Sequence, residues 1–214
     1  MSASKDTAEY QAEILRLYQD RRKAIHARLA DFDRVREVEY FYELVYCLLT
    51  PQSSAEHAER AVASLMENRF AEQGWDPEGY LRNPGQYIRF HRTKARHLLL
   101  ARHAYPEVLA ALANGLSPAE LREWLVRNVK GLGYKEATHF LRNIGRNGGL
   151  AILDRHILRN LKRLKVIRSV PTTMTKKRYL AIERKFEAFA KRIRIPLDEL
   201  DLLFWSMETG EIRK

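Results

Sequence analysis

The chain is poor in cysteine: Cys47 is the only one in 214 residues. A single thiol excludes an intramolecular disulfide, a thiolate zinc site and a four-cysteine iron–sulfur cluster. No window approaches the roughly 18 uninterrupted apolar residues of a membrane-spanning helix. The opening MSASKDTAEYQAEI lacks the apolar stretch of a signal peptide, so an intracellular, cytoplasmic protein with no membrane partner is expected. There is no run of alternating residues bounded by hairpin signals, no internal repeat and no low-complexity tract, so no sheet is required.

Acids are scarce as well. Against 38 Lys and Arg stand 27 Asp and Glu, for a net charge of +11 and a pI near 9.8. The excess is clustered: residues 155–194 hold 14 basic residues and two acids, Glu183 and Glu187, and residues 89–103 hold five basic residues and no acid. Such clustering points to a polyanion, nucleic acid above all. A solvated basic surface of a heat-adapted protein is the alternative.

What is present is helical pattern. Ile14, Tyr18, Ile25, Leu29 and Phe32 fall at helical spacing within residues 8–32, and VEYFYELVYCLL (38–49) is apolar nearly all round, as a central buried helix would be. Ser53 to Glu56 and Ser117 to Glu120 fit capping boxes, the second with Pro118 at the first helical position. Residues 92–112 read as one long helix and 118–129 as another. Tyr179, Ile182, Phe186, Phe189 and Ile193 form an apolar stripe, and Pro196 opens a last short helix. The breaks are short, so the expectation is one all-α domain spanning residues 1–214.

The stretch NVKGLGYKEATHFLRNIGRNGGLAILDRHILRNLKRL (128–164) carries the chemistry. Gly131 and Gly133 form a G-x-G turn between two helices, a hairpin over about 124–145. Glycine permits positive φ and close backbone approach, and the free N–H groups of the helix start suit a phosphate. This helix–hairpin–helix arrangement grips a DNA backbone without reading sequence; a C-cap glycine followed by another turn is the plainer alternative. Lys135 follows the turn, where the positive end of the helix dipole favours an uncharged amine. A neutral amine is what a lysine nucleophile needs. A glycine-rich loop leads to Asp154, 19 residues further on and at the head of the next helix. Asp154 is a good N-cap, and a capping carboxylate stays oriented to stabilise a cation or activate a nucleophile.

VKGLGYKEATHFLRNIG and LAILDRHILRNL resemble the helix–hairpin–helix DNA glycosylase superfamily. KEATHFLRNIG, LDRHILR and the ending DLLFWSMETGEIRK are similar to its archaeal-type 8-oxoguanine DNA glycosylases, and YCLLTPQSSAEHAERAV and RFHRTKARHLLLAR extend the similarity along the chain. The resemblance implies an all-α fold of two helical lobes flanking a cleft. It also implies a bifunctional N-glycosylase and β-lyase on double-stranded DNA containing a damaged base, acting as a monomer without cofactor or metal. Lys135 matches the nucleophile that attacks C1′ and forms a Schiff base. Asp154 matches the catalytic aspartate. Trp205 and Phe90 match the residues that stack on the two faces of a flipped base, although core packing would explain both from pattern alone. Lys214 matches the terminal residue whose α-carboxylate meets the base's Watson–Crick edge. Gln52 aligns loosely with a polar wedge entering the vacated duplex space and is grouped with Gly131 and Gly133 as a DNA contact, an ordinary loop glutamine being the alternative. Arg89, Arg92, Lys94 and Arg96 are candidate backbone contacts or a solvated face; His57, His139 and His156 are structural or phosphate-contacting.

8-Oxoguanine differs from guanine by an oxygen at C8 and a hydrogen on N7. A buried acceptor facing N7–H would therefore admit the lesion and repel guanine. Cys47 alone excludes the cluster-bearing endonuclease III type, and the amine at 135 argues against monofunctional adenine or thymine members. A lyase-type glycosylase for another damaged base and a non-catalytic helix–hairpin–helix DNA-binding module are the competing expectations.

Overall fold

The computed structural model describes residues 2–212, with side chains described from residue 6. Regular structure among them is helical throughout, with no strand. The helices are α1 (Ser2–Asp33), α2 (Tyr40–Leu49), α3 (Ala55–Glu67), α4 (Phe70–Gln73), α5 (Glu78–Arg82), α6 (His91–His103), α7 (Tyr105–Ala113), α8 (Pro118–Asn128), α9 (Tyr134–Asn143), α10 (Arg155–Arg163), α11 (Lys176–Ile193) and α12 (Leu197–Thr209). None is long and apolar enough to cross a membrane. The chain folds as two units: one joins α1 to everything from Gly148 onward, and the other runs Val35–Asn147.

The Val35–Asn147 unit is organised by α2. Its sequence is apolar on every side because every side is covered, by α3, α6 and α9 among others. Phe41, Leu44, Val45, Tyr46, Cys47, Leu48 and Leu49 are all buried. Each such leucine or phenylalanine contributes about 1.5–3 kcal/mol by leaving water. Glu43, also buried, accepts a 2.9 Å hydrogen bond from Asn143 Nδ2, which satisfies a charge that would otherwise be costly there.

In the other unit α12 packs against α1, α10 and α11. Ile14, Tyr18, Ile25 and Phe32 of α1 are buried as their spacing predicts, with Leu29 at the margin. The stripe from Tyr179 to Ile193 is buried along α11. Pro196 is the N-cap residue of α12.

Two local expectations need correction. Residues 92–112 are two helices, not one. Pro106 has no amide hydrogen and its ring clashes with the carbonyl four residues back, so the chain breaks at Ala104 and restarts as α7. The cap of α3 is Ser54, whose side chain accepts the His57 N–H at 3.0 Å. Ser53 is occupied elsewhere: its hydroxyl accepts from Arg89 N at 3.0 Å and from Lys94 Nζ at 3.2 Å. The box at Ser117 and Glu120 forms as expected, with Pro118 opening α8.

Candidate active site

The hairpin joins α8 to α9. Tyr134 donates its hydroxyl to Glu123 at 2.6 Å, the Arg122 guanidinium lies 5.3 Å from the Tyr134 ring centre, and Thr138 Oγ1 caps the Tyr134 carbonyl at 2.8 Å. These contacts fix the two helices around the turn. Gly131 takes φ +97, and a methyl group there would collide with His97 Nδ1 and press on Leu48 Cδ2 at 3.1 Å. Gly133 behaves differently: its backbone is extended, at φ −94 and ψ −178, and it serves as the N-cap of α9. An open hollow of about 560 Å³ borders the turn, lined by His97, Arg127, Lys130 and the backbone of Gly131 to Gly133. Burial, and behind it the charges of Lys130 and Arg96, hold His97 below its ordinary 6.5.

Lys135 is the second residue of α9. Its side chain is 25% exposed and its ion-pair neighbour, Glu136, stands 3.9 Å away, too far for a tight bond. The amine is thus reachable and loosely held. Two neighbouring groups are chemically quiet. Burial pushes the Cys47 thiol up to about 12, against the opposing pull of Lys135 and Arg142, so it is not a competing nucleophile. His139 lies one helical turn beyond Lys135, 7% exposed, edge-on to Tyr46, and neither ring nitrogen has a hydrogen-bond partner among the described residues.

That histidine has a measurable consequence. Burial, reinforced by Arg142 and Lys135, holds its pKa well below the ordinary 6.5. A histidine depressed by folding leaves stability intact above the unfolded value and removes it as pH falls through 6.5 toward the folded value. Acidification from about pH 7.5 to about pH 5.5 is therefore expected to lower the wild-type Tm more than that of His139→Leu, by about 2–4 °C for each kcal/mol of difference. Parallel declines in thermal melts of the two proteins would refute the assignment of a neutral His139.

Asp154 is set by the unit that contains α10. Its Oδ1 accepts the Ile157 N–H at 2.8 Å, the N-cap bond expected from sequence. The approaching strand of backbone is pinned by α11. Tyr179 Oη donates to Ala151 O at 2.5 Å and accepts from Leu153 N at 3.2 Å, and Glu183 accepts from Ala151 N at 3.0 Å. One carboxylate oxygen is thereby committed to the helix.

Neither candidate stacking residue is core. Phe90 is 49% exposed with φ +60, directly before α6, and Arg89 lies 4.8 Å over its ring. Trp205 is part-exposed on α12. Lys135, Gln52, Phe90 and both hairpin glycines belong to the Val35–Asn147 unit; Asp154 and Trp205 belong to the other. Lys214 lies outside the described residues.

Two roles are invisible to sequence reasoning. Tyr179 reads as an apolar stripe residue, yet its hydroxyl orders the approach to Asp154. Lys94 reads as a surface cation, yet it is 6% exposed and donates to Leu49 O at 2.7 Å and Pro51 O at 2.6 Å. Its spacing to the buried Leu98 and Ala101, at i+4 and i+7, was the available signal. Burial pushes the Lys94 ammonium down to about 8, with Glu136 opposing and Lys135 adding to the fall. Arg92, by contrast, is exposed and pairs with Glu78 at 3.4 Å. His57 bonds the Tyr87 carbonyl at 3.0 Å and His156 faces Glu208 at 3.4 Å, both structural contacts.

Residues 25–195 match the family model described as 8-oxoguanine DNA glycosylase. The chain is 40% identical over 215 residues to an 8-oxoguanine DNA glycosylase/AP lyase of Fusobacterium nucleatum, covering 96% of this chain and 98% of the relative. It is 40% identical over 204 residues to one from Korarchaeum cryptofilum, covering 94% and 96%. Among solved structures, the 8-oxoguanine DNA glycosylase of Thermotoga maritima superposes with a TM-score of 0.86 at 31% identity, over 97% of this chain and 100% of that one. The Methanocaldococcus jannaschii 8-oxoguanine glycosylase/lyase in complex with 15mer DNA containing 8-oxoguanine gives 0.83 at 31%, over 95% and 100%. Family model, full-length relatives and fold agree, and the chain belongs to the helix–hairpin–helix 8-oxoguanine DNA glycosylases.

Proposed function

We propose that the chain removes 8-oxoguanine from double-stranded DNA and then cleaves the abasic site, with Lys135 as nucleophile and Asp154 as its electrostatic partner. The observation that carries the activity is the full-length kinship with glycosylase/lyases, one of them solved on DNA bearing this lesion. The residue roles rest on the chemistry of each position.

The damaged nucleotide leaves the stack at a cost of a few kcal/mol. Phe90 and Trp205 offer aromatic faces for the flipped base, and stacking of this kind is worth about 1–3 kcal/mol per base. Lys135 Nζ attacks C1′ with its lone pair as the bond to the base breaks, and the base departs with a proton taken from that nitrogen. The nitrogen keeps one proton; its lone pair opens the sugar ring by expelling O4′, which takes a proton from water, and a protonated Schiff base remains. Removal of a C2′ proton breaks the C3′–O bond and releases the 3′ phosphate. Asp154, oriented by its bond to Ile157, stabilises the positive charge that develops on the sugar and helps Lys135 shed its proton. The backbone N–H groups beside Gly131 and Gly133 hold a neighbouring phosphate, and the basic residues around them strengthen binding without reading sequence. Both assigned catalytic groups come from one chain, which supports action as a monomer. The scheme requires no cofactor.

A panel of duplexes carrying 8-oxoguanine, an oxidised pyrimidine, an alkylated purine or unmodified guanine tests the proposal. Base release and nicking are expected at 8-oxoguanine, with guanine disfavoured by roughly 10⁴-fold, since a site that pairs N7–H leaves an acceptor opposed in guanine. Preference for another lesion would overturn the substrate assignment. Binding with no base release would reduce the protein to a DNA-binding module.

A further inference from the structure

Five non-glycine residues take positive φ among the described residues: Gln52, Arg69, Phe90, Lys165 and Arg194. Arg69, Lys165 and Arg194 follow the ends of α3, α10 and α11, where a left-handed residue closes a helix. Gln52 has no such excuse. It sits at the third position of a turn closed by Ser53 N to Thr50 O at 3.1 Å, after Pro51, where φ +57 favours glycine. Its side chain is exposed. A strained, exposed, polar residue away from a helix end is a candidate for a side chain kept for its function.

Something must hold that turn, and the structure supplies it from below. Lys94 Nζ reaches up from α6 and donates to Leu49 O, Pro51 O and Ser53 Oγ, three acceptors that bracket Gln52. The first lies at the C-terminal end of α2, where carbonyls lack helical partners and the dipole favours a cation. Ser53 Oγ also accepts from Arg89 N, which ties the turn to the start of α6. At 6% exposure Lys94 is not itself a surface for DNA.

We propose that Lys94 is a positioning residue: its buried ammonium clamps the Thr50–Ser53 turn so that Gln52 projects as the wedge that replaces the flipped base. The role rests on the function proposed above, and it is separable from the chemistry at C1′. A wedge matters only where a partner strand and a stacked duplex must be held apart. Removing the clamp should therefore harm duplex substrates selectively.

Lys94→Met keeps the chain length in the buried slot and removes all three hydrogen bonds. Single-turnover excision of 8-oxoguanine from duplex DNA is expected to fall about 10- to 100-fold, the scale of a roughly 1 Å misplacement. Excision from a single strand carrying the same lesion should change by no more than about threefold, since no duplex has to be opened. Combined with Gln52→Ala, which removes the wedge, Lys94→Met should add little further loss, because the two act as one unit. Ser53→Ala, which removes one of the three Lys94 contacts and the Arg89 contact while leaving the ammonium two carbonyl acceptors, should give a smaller loss of the same duplex-selective kind and serves if Lys94→Met does not fold. Fluorescence of 2-aminopurine opposite the lesion reads duplex opening without excision, so the clamp is tested even if the enzyme prefers another base. Equal losses on duplex and single strand, additive losses with Gln52→Ala, or unchanged fluorescence would overturn the proposal. A wild type that opens the duplex but releases no 8-oxoguanine would instead overturn the substrate assignment and leave the clamp standing.

Discussion

Replacing Lys135 by glutamine is expected to abolish both base excision and strand cleavage while leaving lesion-duplex binding within about threefold of wild type. Glutamine has similar length and no nucleophilic lone pair on its amide nitrogen, so neither the attack on C1′ nor the Schiff base can form. Loss of a covalent nucleophile lowers turnover by on the order of 10⁴-fold or more, which is roughly 5 kcal/mol of barrier. The fold should survive. Lys135 is one-quarter exposed and its recorded ion pair to Glu136 is long, so the exchange should cost no more than about 1 kcal/mol of stability. A folded, DNA-binding, inactive Lys135→Gln is the expected phenotype in gel-based excision and binding assays. Residual excision above about 1% of wild type would mean that water, not the amine, attacks the sugar.

Asp154→Asn separates capping from catalysis. Asparagine is as good an N-cap as aspartate. Its Oδ1 can keep the 2.8 Å bond from Ile157 N, and the anchors from Tyr179 and Glu183 to residues 151–153 do not involve the side chain at all. The helix loses only the favourable charge at its N-terminus, about 0.3–1 kcal/mol. The reaction loses far more. An asparagine cannot accept a proton from an ammonium or offer a full negative charge to an oxocarbenium-like sugar. Removing one preorganised electrostatic group of this kind costs about 10²–10³-fold in rate, or roughly 3–4 kcal/mol. Excision is expected to fall by that factor with Tm and duplex affinity nearly unchanged. Wild-type excision rates would reduce Asp154 to a cap and nothing else.

The hairpin, the Ser117 box and the Asp154 cap were legible in the sequence because each is a local bargain between a side chain and the backbone within four residues. The apolar stripes of α1 and α11 were legible because periodicity reports the buried face directly. What escaped was anything decided by a distant partner. Ser53 and Ser54 are equivalent as cap candidates until Arg89 and Lys94, some forty residues away, recruit the first and leave the second to cap α3. Lys94 itself was hidden by its charge. A lysine in a basic run reads as solvated, and only the three acceptors at the end of α2 make burial tolerable. Pro106 was visible, but the apolar residues on either side of it favoured one continuous helix. Pattern alone favours core packing for Phe90 and Trp205, yet neither is a core residue.

Two of the three lysines of the Val35–Asn147 unit, Lys94 and Lys135, sharpen the central claim. Burial pushes the Lys94 ammonium down to about 8, yet it is 6% exposed and bonded to three acceptors. Lys135 is the one that a substrate can reach. Of these two, exposure favours Lys135 as the proposed nucleophile. Borohydride reduction during turnover on 8-oxoguanine duplex, followed by proteolysis and mass spectrometry of the trapped adduct, decides between them. The expected result is a single deoxyribose-bearing peptide with the modification on Lys135. Base release without a trapped adduct, or an adduct carried by Lys94 or any other amine, would contradict it.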